Sequence, residues 1–194
     1  MRGINAFTLA ARKVNPDATV KVVWVNSWYD PGKEADAAKA LIDQGADIIT
    51  QHTDSPAPLQ VAEERGVLAF GQASDMAEFA PGAQLTSIID DWDTYYVSRA
   101  QAVVDGIWES QDTWGGIDSG MVAFPEYSDF VPEEVKAAAD TVKAGILSGE
   151  LHPFQGPIMS QSGEELLPEG EVYDDGTLLG MNFYVEGVQG DLPK

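Results

Sequence analysis

The sequence predicts an α/β fold, a parallel sheet flanked by helices. Three observations carry that prediction. Residues 20–75 alternate strand, helix, strand, helix, strand. Each helix in that stretch has its own start and stop residues. Each strand-like run ends in a short polar loop, NSWYDP, TQHTDSPAP or GQASD. In an open parallel sheet such loops lie together at the carboxyl ends of the strands, where ligands bind.

Taken in order, residues 3–13 put Ile4, Phe7, Leu9, Ala10 and Ala11 close to helical spacing, and Asn15-Pro16-Asp17 ends that helix. A helix with no strand before it is an unusual opening for so regular an alternation, and a strand preceding it is expected outside this sequence. Residues 21–25 form a β-rich run suited to a buried parallel strand. Asp30 is placed as an N-cap with Pro31 at the first helical position, opening a helix to Gln44 that Gly45 stops. Residues 46–50 are the second strand, Ser55-Pro56 opens a helix to Arg65 closed by Gly66, and residues 67–71 are the third strand. A loop with a Pro-Gly turn fills 76–83, and 84–89 is a fourth strand. Asp90 or Asp91 then caps a long amphipathic helix through Trp108, apolar at Tyr96, Val97, Ala100, Val103, Val104 and Ile107. Residues 111–116 break it and 120–124 make a weak strand. Pro132-Glu133-Glu134 starts a helix to Leu147 that Gly149 stops. From His152 onward no further helix is predicted. Asp175-Gly176, between the strand-like runs 171–174 and 177–183, predicts a hairpin. No repeat of fixed period and no low-complexity linker is present.

At 194 residues and 44% hydrophobic content the chain can bury a real core in one or two domains. Thirty-two acidic residues against 11 basic ones give a net charge of −21. That balance disfavours nucleic acid, whose phosphates need Lys and Arg, and anionic membrane surfaces. It suits either a strongly solvated surface of the halophilic kind or an acidic site for cations. With no cysteine, disulfides, thiol catalysis and Cys-ligated zinc are excluded, and two histidines make a His-rich metal site unexpected. No run of eighteen apolar residues occurs, and the opening residues have a helical rather than a secretory pattern. Either the protein is cytoplasmic or its natural amino terminus lies upstream.

The polar loops hold the candidate site. Trp28 and Tyr29 end the first strand, where an aromatic either stacks on a flat ligand or packs against the next helix. Base stacking on an aromatic face contributes about 1–3 kcal/mol. His52, Thr53, Asp54 and Ser55 lead into a helix N-terminus, where free backbone N–H groups and hydroxyls can hold polar ligand edges. Asp54 or Ser55 is also a natural cap for that helix. Gln72, Ser74 and Asp75 follow the third strand, and Asp90 and Asp91 the fourth. A buried carboxylate there can accept ligand N–H or O–H bonds, each charge-assisted bond being worth roughly 1.5–3 kcal/mol. Helix capping is the alternative for Asp90 and Asp91. Trp92, Trp108 and Trp114, with Tyr95 and Tyr96, read as core or interface packing. No P-loop, G-x-G-x-x-G, G-x-S-x-G or H-E-x-x-H pattern occurs.

Taken together, GINAFTLAARKVNPDATVKVVWVNSWYDPGKEADAAKALIDQGADIITQHTDSPAPLQVAEERGVLAFGQASD, then APGAQLTSIIDDW, VPEEVKAAADTVKAGILSGE and LLGMNFYVEGVQGDLP, resembles the basic membrane protein family. These are substrate-binding lipoproteins of ABC importers that take up purine nucleosides or bases. The resemblance covers nearly the whole chain. It implies a type I periplasmic-binding-protein-like fold, with two α/β lobes, a multi-strand hinge and ligand closed in the cleft. It also implies that a signal peptide, a lipidated cysteine and most of the first lobe lie before Met1. Residues 1–86 would then be the ligand-side lobe with a βαβαβ core. Residues 87–150 would be the returning, incomplete part of the other lobe, and 151–194 a C-terminal tail with the hairpin. The location implied is extracytoplasmic, with membrane contact only through a lipid anchor outside this chain. Apolar surface left exposed where the first lobe's sheet is incomplete is expected.

Carried over residue by residue, the family's stacking aromatic, in a Gly-Ser-Phe-type loop, falls on Trp28, and its next Gly-rich loop on His52 to Ser55. Nucleoside binders of the family often read Gly-Val-Asp-Ser-Asp where this sequence has Gly71-Gln72-Ala73-Ser74-Asp75. The aspartate that the resemblance assigns to ribose is Ala73 here, and the family's Lys after Leu-Thr-Ser is Asp90. A free base such as adenine, or another flat heterocycle, is therefore expected over an intact nucleoside. The expected ligand set is Trp28, Tyr29, His52, Thr53, Asp54, Ser55, Gln72, Asp75 and Asp90, with no catalytic residue, metal or cofactor. Expected partners are a purine-like small molecule and an importer permease, with no nucleic acid. The alternative is a purine-processing enzyme with Asp54 or Asp75 as general base.

Overall fold

Short helices and strands alternate along the chain in the computed structural model, which describes residues 1–193. In order they are α1 (Arg2–Val14), β1 (Val20–Lys21), α2 (Pro31–Asp43), β2 (Ile48–Ile49), α3 (Ala57–Arg65), β3 (Leu68–Gly71), β4 (Gln84–Ser87), β5 (Ile89–Asp90), α4 (Asp93–Val104), β6 (Val122–Ala123), α5 (Glu133–Ser148), β7 (Ile158–Met159), β8 (Glu165–Leu167), α6 (Asp175–Leu179) and β9 (Val188–Gln189). A 3-10 turn spans Ala77–Phe79. The chain divides into two compact units, Val25–Ala137 and the pair Met1–Trp24 with Ala138 onward.

In the Val25–Ala137 unit, β2, β3 and β4 form a parallel sheet in that order, with Ile48 opposite Leu68, Ile49 opposite Ala69 and Ala69 opposite Gln84. The helices that connect and cover it begin and end where the sequence predicts. Asp30 accepts the Lys33 backbone N–H at the start of α2, and Gly66, at φ 69°, closes α3 in the left-handed conformation that glycine adopts without strain. Ala38, Ile49, Leu59, Ala62 and Ala69 sit at the centre of the core they enclose.

Three expectations for this unit are corrected. The predicted fourth strand splits: β4 stays in the parallel sheet, whereas β5 pairs antiparallel with β6, Ile89 opposite Ala123 and Asp90 opposite Val122. Asp90 is therefore a strand residue, and neither it nor Asp91 caps the next helix. That helix starts at Asp93 behind Trp92, with no side-chain cap, and ends at Val104 rather than Trp108. Gly106, at φ 71°, turns the chain beyond it. Finally, α4 buries no residue: Tyr96, Val97, Val103 and Val104 on it are all exposed, as are Ile107 and Trp108 beyond its end.

In the second unit, β1 does not join the expected run of parallel strands. It pairs in parallel with β9, Val20 opposite Val188. The Val20 and Val22 N–H groups donate to Gly187 and Gln189 carbonyls at 2.9 Å, so these two donors are satisfied by the β9 segment. Buried Asn5 of α1 donates to the Phe183 carbonyl (2.8 Å) and accepts the Val185 N–H (3.2 Å), tying the amino-terminal helix to a core of Phe154, Ile158, Tyr184 and Val185. The predicted hairpin at Asp175-Gly176 is instead a helix. The Asp174 side chain accepts the Thr177 N–H at 2.7 Å, and this cap takes the Asp-Gly pair into the first turn of α6. The tail's hairpin lies earlier, between β7 and β8, turning through Gly163 at φ 85°.

Candidate functional site

The loop after β1 turns through Asn26, at φ 51°, and presents Trp28 and Tyr29 to solvent. The Trp28 indole is 70% exposed and Tyr29 is also exposed. Asp30 then caps α2, with the Lys33 backbone and side-chain bonds holding its carboxyl below the usual range. The loop after β2 lies against this one. The Asp54 N–H donates to the Trp28 carbonyl at 2.9 Å, and the His52 ring sits 6.1 Å from the indole at an interplanar angle of 59°. This is a tilted aromatic pair of the ordinary kind. His52 and Asp54 are exposed and Thr53 is half-buried.

Beneath these tips lies a carboxylate that sequence reasoning missed. Glu34, in the first turn of α2, is 2% exposed. Its Oε1 accepts the Asp30 N–H at 2.7 Å, and its Oε2 accepts both the Ser55 hydroxyl (2.6 Å) and the Ser55 N–H (3.2 Å). Burial pushes its pKa up, but bonds from the Ser55 hydroxyl, the Asp30 N–H, the Thr53 side chain and the Ser55 N–H outweigh this and leave it lowered. Ser55 is fully buried, and its hydroxyl oxygen also accepts the Ala57 N–H at 3.3 Å at the start of α3. The sole sequence hint to Glu34 was its place four residues after a cap, where a carboxylate can reach back to the cap's N–H in the way of a capping box.

The third loop is bound on both sides. Gln51 donates to the Ser55 carbonyl (2.9 Å) and, weakly, to the Met76 sulfur (3.7 Å), which links the second loop to the third. Asp75 accepts the Ala77 N–H (3.0 Å) and the Gln84 amide (2.8 Å), while Gln84, itself buried, accepts the Met76 N–H (3.1 Å). Ala73 is held at φ 59° and accepts the Asp90 N–H at 3.0 Å, bringing Asp90 beside the third loop. Gln72 is half-buried at the end of β3.

The structure thus brings together Trp28, Tyr29, His52, Thr53 and Asp54 on two joined tips, and Asp75 and Asp90 on the neighbouring pair. It places Ser55 underneath. Among the described residues no group of three or more His, Asp or Glu side chains could hold a metal ion, and no helix is long and apolar enough to cross a membrane.

The family of PnrA-like ABC transporter substrate-binding proteins, Bmp, matches residues 1–152. The chain belongs to this family. Over all 194 residues this Bmp chain is 60% identical to a purine-binding protein of Brucella abortus, of which it covers 55%. It is 37% identical over the same length to a putative ABC transporter glucose-binding protein of Haloferax volcanii, covering 47% of it. The chain therefore spans about half the length of the curated relatives it matches. Among solved structures, an ABC transporter solute-binding protein from Conexibacter woesei aligns at a TM-score of 0.57 and 20% identity, over 78% of this chain and 53% of the other. That likeness supports the α/β fold of the Bmp chain, and all of the loop residues described above fall inside the family match.

Proposed function

We propose that this chain is the ligand-binding part of an extracytoplasmic solute-binding protein that presents a purine, preferentially the free base, to an ABC importer permease. The observation that carries the reading is the exposed Trp28 indole, paired with His52 at tips that backbone hydrogen bonds join. A flat ring laid on that indole has the Asp54 and Thr53 polar groups beside it for its edges. The 60% identity to a purine-binding protein supports the ligand class. Ala73, where the family resemblance puts a ribose-binding aspartate, and Asp90 in place of a lysine support base over nucleoside. Attachment to the membrane would come through a lipid anchor.

Isothermal titration of the whole protein with adenine, hypoxanthine, adenosine and glucose tests this. A purine base is expected to give heat and bind more tightly than its nucleoside. Trp28→Ala is expected to weaken binding by about 1–3 kcal/mol, the worth of one stacked base. No heat from any purine with the fold intact, or heat from glucose alone, would sink the proposal. Chromatography of the ligand after incubation separates binding from turnover, since a purine-processing enzyme using Asp54 or Asp75 would not return it unchanged.

A further inference from the structure

Glu34 is a buried ionised group that no step of ligand binding uses directly, yet it touches both loops that carry the ring pair. Residues 28 and 30 of the first loop and residues 54 and 55 of the second are cross-linked twice. One link is the Asp54 N–H to the Trp28 carbonyl. The other runs through the Glu34 carboxylate, one oxygen on the Asp30 N–H and the other on Ser55. Among the described residues no Lys, Arg or His nitrogen lies within ion-pair distance of Glu34, so its charge is held by hydrogen-bond donors and by the amino-terminal end of α2.

We propose that Glu34 is the positioning residue for the ligand-binding ring pair, setting the Trp28 loop against the His52 loop through its two carboxylate oxygens. The chemistry of the three donors leaves little latitude. Glutamine has one acceptor oxygen and one NH2, so one of the two loops would face a donor with a donor. Aspartate keeps both oxygens but is one methylene shorter and cannot span both loops from α2. A side chain that served only the start of the helix would need neither Ser55 bond.

The inference rests on the purine-binding reading only for its consequence, so the primary test is made on the whole protein without ligand. The chain has two histidines, His52 and His152, which makes the His52 ring resonances simple to assign by isotope labelling. In the wild type, nuclear Overhauser contacts between the His52 and Trp28 rings are expected. In Glu34→Gln those contacts and the ring-current shift are expected to disappear while amide dispersion persists. Asp30→Ala, which removes the side-chain cap at the same helix end and leaves the Glu34 bonds in place, is expected to lower Tm and keep the ring contacts. Retention of the contacts in a folded Glu34→Gln protein would overturn the proposal. If that variant does not fold, Ser55→Ala decides: weakened contacts support the proposal, and unchanged ones overturn it. Adenine titration supplies the second reading, with a loss of roughly tenfold in Glu34→Gln expected from a displaced stacking ring. Should the wild type bind no purine, the purine reading fails, and the ring contacts alone judge Glu34.

Discussion

Helices α3 and α4 belong to the same unit and both present an apolar stripe, but the fold treats them in opposite ways. On α3, Leu59 and Ala62 are fully buried between α2 and the parallel sheet. On α4, Val97 and Val104 stand out in solvent, the Tyr96 ring pairs with Trp92 at 6.1 Å and with Tyr95 at 5.7 Å, and the Arg99 guanidinium lies over Trp108 at 5.6 Å. Periodicity marks which face of a helix wants cover. It does not say what supplies the cover, because that partner is chosen by residues far away in sequence. Stability in this unit should accordingly be concentrated on the α2–α3 side and nearly absent from α4.

The largest expected effect breaks the buried side. Leu59→Ala removes a side chain with no exposed surface and leaves a cavity among Ala38, Val61 and Ala62, so a loss of about 2–5 kcal/mol is expected. A shift in the urea midpoint of the whole protein, followed by far-UV circular dichroism, measures it. A loss under 1 kcal/mol would mean that this core is far looser than its packing implies.

A smaller effect separates the two sides by pH. The Glu34 pKa is lowered from its ordinary 4.5 in the fold, so the unfolded chain takes up the proton first as pH falls. The stability Glu34 contributes is therefore complete above the unfolded value and is lost as pH drops through the folded one. Urea midpoints of wild type and Glu34→Gln are expected to differ most at neutral pH and to converge below pH 4.5. A constant gap across that range would mean that folding does not shift the Glu34 pKa.

These contrasts also mark what was legible in the sequence. Helix ends were readable because their signals are local: Asp30 with Pro31, Gly66 and Gly149 each act on a backbone group within a turn of themselves. Strand partners were not, since β1 meets β9 and β5 meets β6 across long stretches of chain. Asp175-Gly176 misled because an Asp-Gly pair suits both a hairpin turn and the first turn of a helix, and the preceding Asp174 decides between them. The candidate loops were visible as polar strand ends. Glu34 was hidden because a glutamate on a helix surface looks the same in sequence whether it faces water or the Ser55 hydroxyl.

The smallest expected effect sharpens the comparison most. Val104 is 80% exposed at the end of α4, so Val104→Lys removes almost no buried area and adds a cation near a helix C-terminus, where the backbone dipole favours it. A change within about 0.5 kcal/mol is expected, of the size seen at surface positions without special contacts. The midpoint should be read at two protein concentrations a hundredfold apart. A loss above 1 kcal/mol that grows with concentration would show that copies of the chain cover this face in solution, since only an association equilibrium ties stability to concentration. A similar loss at both concentrations would place cover over Val104 within the chain itself, and the contrast between α3 and α4 would then fall.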